Sequence, residues 1–173
     1  MRFKTLMLAA AIVFLPIGAN AQDAKPACAD TDKSLPPEMA GWATKSDLGS
    51  ATDAADLATA QLTLGHAANT ALHHTPEVSY VTQPEKPGGT VAYGGMVGLT
   101  IKEAGTYRIG LGAGAWIDVV KGEKTTRSTA HGHGPACSTL RKIVDFPLEP
   151  GAYVIQISAN ADPALAVMVW RQP

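Results

Sequence analysis

His131 and His133 stand one residue apart in TAHGHGPACSTLRKIVDFP, residues 129 to 147. In an extended backbone residues i and i+2 point to the same side, so both imidazoles can face one ion. Imidazole nitrogen suits zinc, copper, iron or nickel, and such a site takes three or four ligands. The other histidines, His66, His73 and His74, and carboxylates such as Asp118 are the candidates to complete it, whereas Cys137 is lost as a ligand once oxidised. Two readings stay open. One is a transition-metal site built on His131 and His133; the other is a glycine-flanked loop whose imidazoles are solvated or bonded to backbone. The H-E-x-x-H helix pair that would strengthen the metal reading is absent, and His73 and His74, being adjacent, face opposite ways on a strand.

A second chemistry is suggested by AWIDVV, residues 115 to 120, where Trp116 shares a strand face with Asp118 and Val120, opposite Ala115, Ile117 and Val119. An exposed indole beside a carboxylate makes a carbohydrate-binding surface, the ring supplying apolar area and the acid supplying acceptors for hydroxyls. Core packing is the competing reading for Trp116, as for Trp42 and Trp170. No catalytic residue can be assigned. Neither G-x-S-x-G nor G-x-x-x-x-G-K-[ST] occurs, and the spacing of Ser128 or Ser138 relative to His131 and Asp118 says nothing of triad geometry. Asp53 and Asp56 read as a solvated face.

These side chains need a scaffold, and the compartment comes first. MRFKTLMLAAAIVFLPIGANAQ combines basic Arg2 and Lys4, an apolar run from Leu6 to Ile17 and small residues Ala19 to Ala21, which predicts a secretory leader over residues 1–21 cut after Ala21. The apolar run is shorter than the ~20 residues of a membrane span. Taking 21 residues from 173 leaves 152, one domain's worth; Arg2 and Lys4 leave 12 of 14 basic residues against 15 acidic ones, a net charge of −3. That balance gives no reason to expect nucleic acid. The protein is expected to be periplasmic or secreted, with no transmembrane segment.

Export delivers the two cysteines, Cys28 and Cys137, to an oxidising space, which predicts a Cys28–Cys137 disulfide rather than free thiols. It would pin the Pro-rich stretch of residues 22–45, read as an extended N-terminal arm, beside the His-Gly-His loop. Trp42 is the expected core anchor of that arm.

Residues 46–173 read as one all-β domain, a β-sandwich or jelly roll of about eight or nine strands. The candidate strands are 61–66, 69–73, 77–82, 90–101 with a break at Gly94-Gly95, 106–111, 115–120, 140–146, 152–158 and 164–170, while 46–61 is either irregular or a short helix from Asp53. Tyr107, Ile109 and Leu111 alternate with Arg108, Gly110 and Gly112, and Tyr153, Ile155 and Ile157 alternate with Gln156 and Ser158, so the first-named sets should face the core. ALAVMVW, residues 164–170, is apolar on both faces and predicts a strand covered on each side. Glu103-Ala104-Gly105 and Glu149-Pro150-Gly151 each precede a Tyr-x-Ile strand and read as turns.

LPPEMAGW (35–42), PEKPGGTVAYGG (84–95), GTYRIGLGAGAWIDVV (105–120) and HGHGPACSTLRKIVDFPLEPGAYVIQI (131–157) together resemble a family of small, functionally uncharacterised secreted proteins of Gram-negative bacteria. Some members of that family carry the label homogentisate 1,2-dioxygenase. The label implies non-haem iron held by two histidines and a carboxylate, for which His131 and His133 would be the histidines. More loosely, the C-terminal half is similar to the pre-peptidase C-terminal jelly-roll domains of secreted peptidases, which implies a binding or packing module. The leading expectation is a non-catalytic module that binds a protein or glycan partner without a cofactor. Its alternative is a metal-dependent oxygenase-like protein with non-haem iron or copper.

Overall fold

The computed structural model describes residue 28 and residues 31–173. The leader of residues 1–21 and the beginning of the arm lie outside the described residues. Eleven strands run among them: β1 (Lys45–Gly49), β2 (Ala67–Ala71), β3 (His73–His74), β4 (Tyr93–Ile101), β5 (Gly105–Leu111), β6 (Trp116–Lys121), β7 (Lys124–Thr126), β8 (Ala130–Gly132), β9 (Lys142–Leu148), β10 (Gly151–Asn160) and β11 (Ala164–Arg171). They form two sheets, one of order β1-β2-β11-β5-β9-β8 and one of order β3-β4-β10-β6-β7. The fold is therefore the expected all-β sandwich. No helix among the described residues is long and apolar enough to cross a membrane.

Period-two alternation builds the core as anticipated. Tyr107, Ile109 and Leu111 from β5 meet Tyr153, Ile155 and Ile157 from β10 between the sheets, with Val97, Leu99, Val119, Phe146, Val167 and Val169. Strand β11 lies inside its sheet between β2 and β5 and is covered on both sides: Leu165, Val167 and Val169 enter the central core, while Met168 and Trp170 enter a second cluster on the outer face.

Both E-x-G turns end in a tyrosine that bonds back four residues. Tyr107 Oη donates to the Glu103 carbonyl at 2.8 Å, and Tyr153 Oη donates to the Glu149 carbonyl at 2.9 Å while accepting from Glu149 N–H at 3.0 Å. Such a tyrosine corner fixes the start of a sandwich strand. Replacing Tyr153 with phenylalanine should cost about 1 kcal/mol, a typical net hydrogen bond, and lower the melting temperature by roughly 2–4 °C. An unchanged melting curve would mean that the corner adds nothing.

The outer faces were the harder part to anticipate, because two straps cover them. The arm is not extended throughout: Pro37–Ala43 forms a 3-10 helix. Its three-residue turn puts Met39 and Trp42 on one side, where both are buried against Ala67, Leu140, Ile143, Met168 and Trp170. Residues 78–88 form the second strap, over β4, β10 and β6. The expected strand 77–82 is absent because the backbone there bonds to side chains instead of to a ladder: Thr82 N–H donates to Gln156 Oε1 at 3.0 Å, and Gln156 Nε2 donates to the Thr82 carbonyl at 3.1 Å. Gln156 and Ser158, opposite the core residues of β10, are fully buried as a result.

The expected strand 61–66 is likewise missing. Gln61 makes a single bridge to Gly98 before the chain turns. Residues 46–61 resolve into β1 and a short 3-10 helix, Ala55–Ala58, with Asp53 Oδ1 accepting from Ala55 N–H and Asp56 N–H. Gly94 and Gly95 do not break β4. They make room for crossing segments, since a Cβ at Gly94 would fall 2.0 Å from Tyr80 Oη and one at Gly95 would fall 2.1 Å from Ser50 Oγ. Strands β7 and β8 are too short and polar to announce themselves by alternation.

Cys28 and Cys137 form the expected disulfide, with Cα atoms 5.2 Å apart and a sequence separation of 109. The pairing fits an oxidising, extracytoplasmic compartment. Asp32 continues the attachment: its N–H donates to the Cys137 carbonyl, and its carboxylate accepts from Thr139 N–H at 2.7 Å and from Thr139 Oγ1.

Candidate functional site

His131 and Gly132 lie on β8, the edge strand beside β9, opposite Val144 and Ile143, and His133 follows the end of the strand. Partners in an antiparallel pair share a face. Both histidines are exposed, and His133 Nδ1 lies 3.2 Å from the Arg141 carbonyl. Among the described residues no group of three His, Cys, Asp or Glu side chains is gathered in a way that could hold a metal ion. The other histidines are elsewhere: His73 Nε2 lies 3.2 Å from the Ser50 carbonyl, His74 stacks on Tyr93 with ring centroids 4.5 Å apart, and His66 is exposed after the 61–65 turn. Ser138 Oγ is occupied by the Pro135 carbonyl at 2.8 Å.

Trp116 opens β6 on the outer face of the five-stranded sheet, paired with Ser158, while the next outward residue, Asp118, pairs with Gln156. The indole is half-buried and Asp118 is only 6% exposed. The aspartate is turned into the fold, where Oδ1 accepts from Trp116 Nε1 at 3.2 Å and Oδ2 accepts from Glu85 N–H at 3.2 Å. Asp118 thus locks the ring and the strap together and is not available as an acceptor for a ligand hydroxyl. Its charge is also felt by Tyr80 in the strap, whose hydroxyl is pushed up to about 12, by burial first and by Asp118 second.

Two residues that sequence inspection passed over complete this corner. Lys86 Nζ lies 4.3 Å and Lys142 Nζ 5.3 Å from the centroid of the same Trp116 ring, within cation–π range. Lys142 comes from β9 in the other sheet and donates to the Ala115 carbonyl at 2.8 Å, whereas Lys86 comes from the strap, where its own carbonyl accepts from Ser158 Oγ at 2.8 Å. Burial, and then the Lys86 charge, lower the pKa of Lys142 from the usual lysine range. The ion pairs among the described residues join Lys45 to Asp32, Arg108 to Asp145 and Arg171 to Glu103, and include neither lysine. Lys142 had a legible signal, as it occupies the inward register of Val144, Phe146 and Leu148. Lys86 had none, because its position depends on how the strap crosses the sheet.

Lys142, which lies over Trp116, follows Arg141, whose carbonyl is 3.2 Å from His133 Nδ1. At the opposite end of the sandwich an open groove of about 700 Å³ runs between Glu38, Gln61–Gly65, Thr100, Lys102, Glu103 and Arg171. Its aromatic walls, Tyr107 and Trp170, are buried and offer no free ring face. No family model and no curated protein matches the chain.

Proposed function

We propose that the protein is an exported, non-catalytic β-sandwich that binds a glycan at the Trp116 end. Export rests on the leader over residues 1–21, with cleavage after Ala21 and a periplasmic or secreted destination; the disulfide suits that destination. The resemblance to small secreted proteins of Gram-negative bacteria and to accessory jelly-roll modules points the same way.

The observation that carries the glycan reading is the fixed orientation of Trp116. Its nitrogen is bonded to Asp118, which is itself held by the strap, so the half-exposed ring is set before a ligand arrives. A preorganised aromatic face saves the ordering cost of binding and stacks on the C–H face of a sugar ring. Lys86 and Lys142 supply hydrogen-bond donors beside it.

Titrating the mature protein with soluble oligosaccharides, neutral and acidic, should change tryptophan fluorescence saturably for at least one of them. Trp116→Ala should abolish the response, and His131→Ala should retain it. If no oligosaccharide gives a saturable change, or if the Trp116→Ala response equals that of the parent, the glycan reading is wrong.

A further inference from the structure

We infer that the ligand of this corner carries an oxyanion, a carboxylate, sulfate or phosphate, which is received between Lys86 and Lys142 above Trp116; the ring that bears the oxyanion rests on the glycan reading, while the charge does not. Two ammonium groups share one indole, so their separation falls within roughly one Debye length, ~8–10 Å at physiological salt, where they repel. No carboxylate among the described residues lies within ion-pair distance of either one. The acid bonded to the indole, Asp118, accepts from Trp116 Nε1 and Glu85 N–H and is buried. The exposed imidazole of His133 lies 3.2 Å from the carbonyl of Arg141, the residue before Lys142.

Neither lysine is loose at its root. The Ser158 hydroxyl holds the Lys86 carbonyl, and Lys142 is anchored both by its strand and by the Ala115 carbonyl. The arrangement is thus a preformed pair of cations with no carboxylate in ion-pair contact, held at one indole. An oxyanion would relieve the repulsion, form charge-assisted hydrogen bonds to both ammonium groups, and leave its attached ring on the indole. The partial burial that makes Lys142 costly to charge also makes an anion beside it worth more than at a fully wet surface.

The test pairs an oligogalacturonate with its methyl ester, which has the same rings without the charge, and adds inorganic phosphate as a ring-free oxyanion. The readout is the Trp116 indole N–H resonance. The acid should bind at least about tenfold more tightly than the ester, and Lys86→Gln/Lys142→Gln should erase that difference while keeping the fold. Equal binding of acid and ester would overturn the inference and leave the glycan reading standing. A lysine-dependent response to phosphate, with neither saccharide bound, would support the oxyanion site and overturn the glycan reading. If the resonance is moved by none of the three, or moves as far with sodium chloride at matched ionic strength, the oxyanion site does not exist.

Discussion

Trp42→Ala is expected to lower the unfolding free energy by about 3–5 kcal/mol, the range for truncating a large buried aromatic. The indole is fully buried and is the centre of the outer cluster of Met39, Leu140, Ile143, Met168 and Trp170. It also works as a tie: Nε1 donates to Thr139 Oγ1 at 2.9 Å, Thr139 donates on to Asp32, and Lys45 donates to the Trp42 carbonyl at 2.7 Å with its ammonium 4.8 Å from the ring. Truncation leaves a cavity over β11 and a Thr139 hydroxyl without its donor. Because the arm packs over Met168 and Trp170, its loosening also opens apolar surface to water. Denaturant unfolding measures the effect, with Val91→Ala as the control; that side chain is 82% exposed and its loss should cost well under half as much. A Trp42→Ala loss below about 1 kcal/mol would mean that the arm lies on the sheet without stabilising it.

The Cys28→Ser/Cys137→Ser variant, or the parent protein in a strong thiol reductant, should lose about 4–5 kcal/mol by the chain-entropy account of closing so long a loop. The bridge joins the arm to the 133–141 loop across 109 residues, so without it the unfolded chain regains most of its freedom. Both cysteines are exposed, so reductant can reach the bond without prior unfolding. Asp32 and Thr139 would still mark the docking position, and the folded shape should persist at low temperature. The oxidised protein should titrate with no free thiol, and the reduced protein should unfold at markedly lower denaturant. Coincident curves for the two forms would show that the bridge contributes nothing to stability.

The disulfide and the core faces could be read directly because each depends on neighbouring residues or on a count. Tyr107, Ile109 and Leu111 face inward for the same reason that Arg108 does not, and two cysteines in an oxidising space have one intramolecular pairing available. The 164–170 run announced a strand covered on both sides by being apolar on both.

What the chain pattern could not decide is what does the covering. Gln156, Ser158 and Asp118 occupy positions that alternate with core residues and look like solvent-facing polar groups, yet all three are buried under a strap that lies 33 to 74 residues away in sequence. A polar side chain needs hydrogen-bond partners whether water or backbone supplies them, so its identity alone does not tell a wet face from a strapped one. The same limit hid the candidate site. Trp116 and His133 were visible as residue types, but only the crossing of the strap and the meeting of the two sheets bring Lys86 and Lys142 over one indole and turn Asp118 from an expected ligand acceptor into the brace that sets the ring.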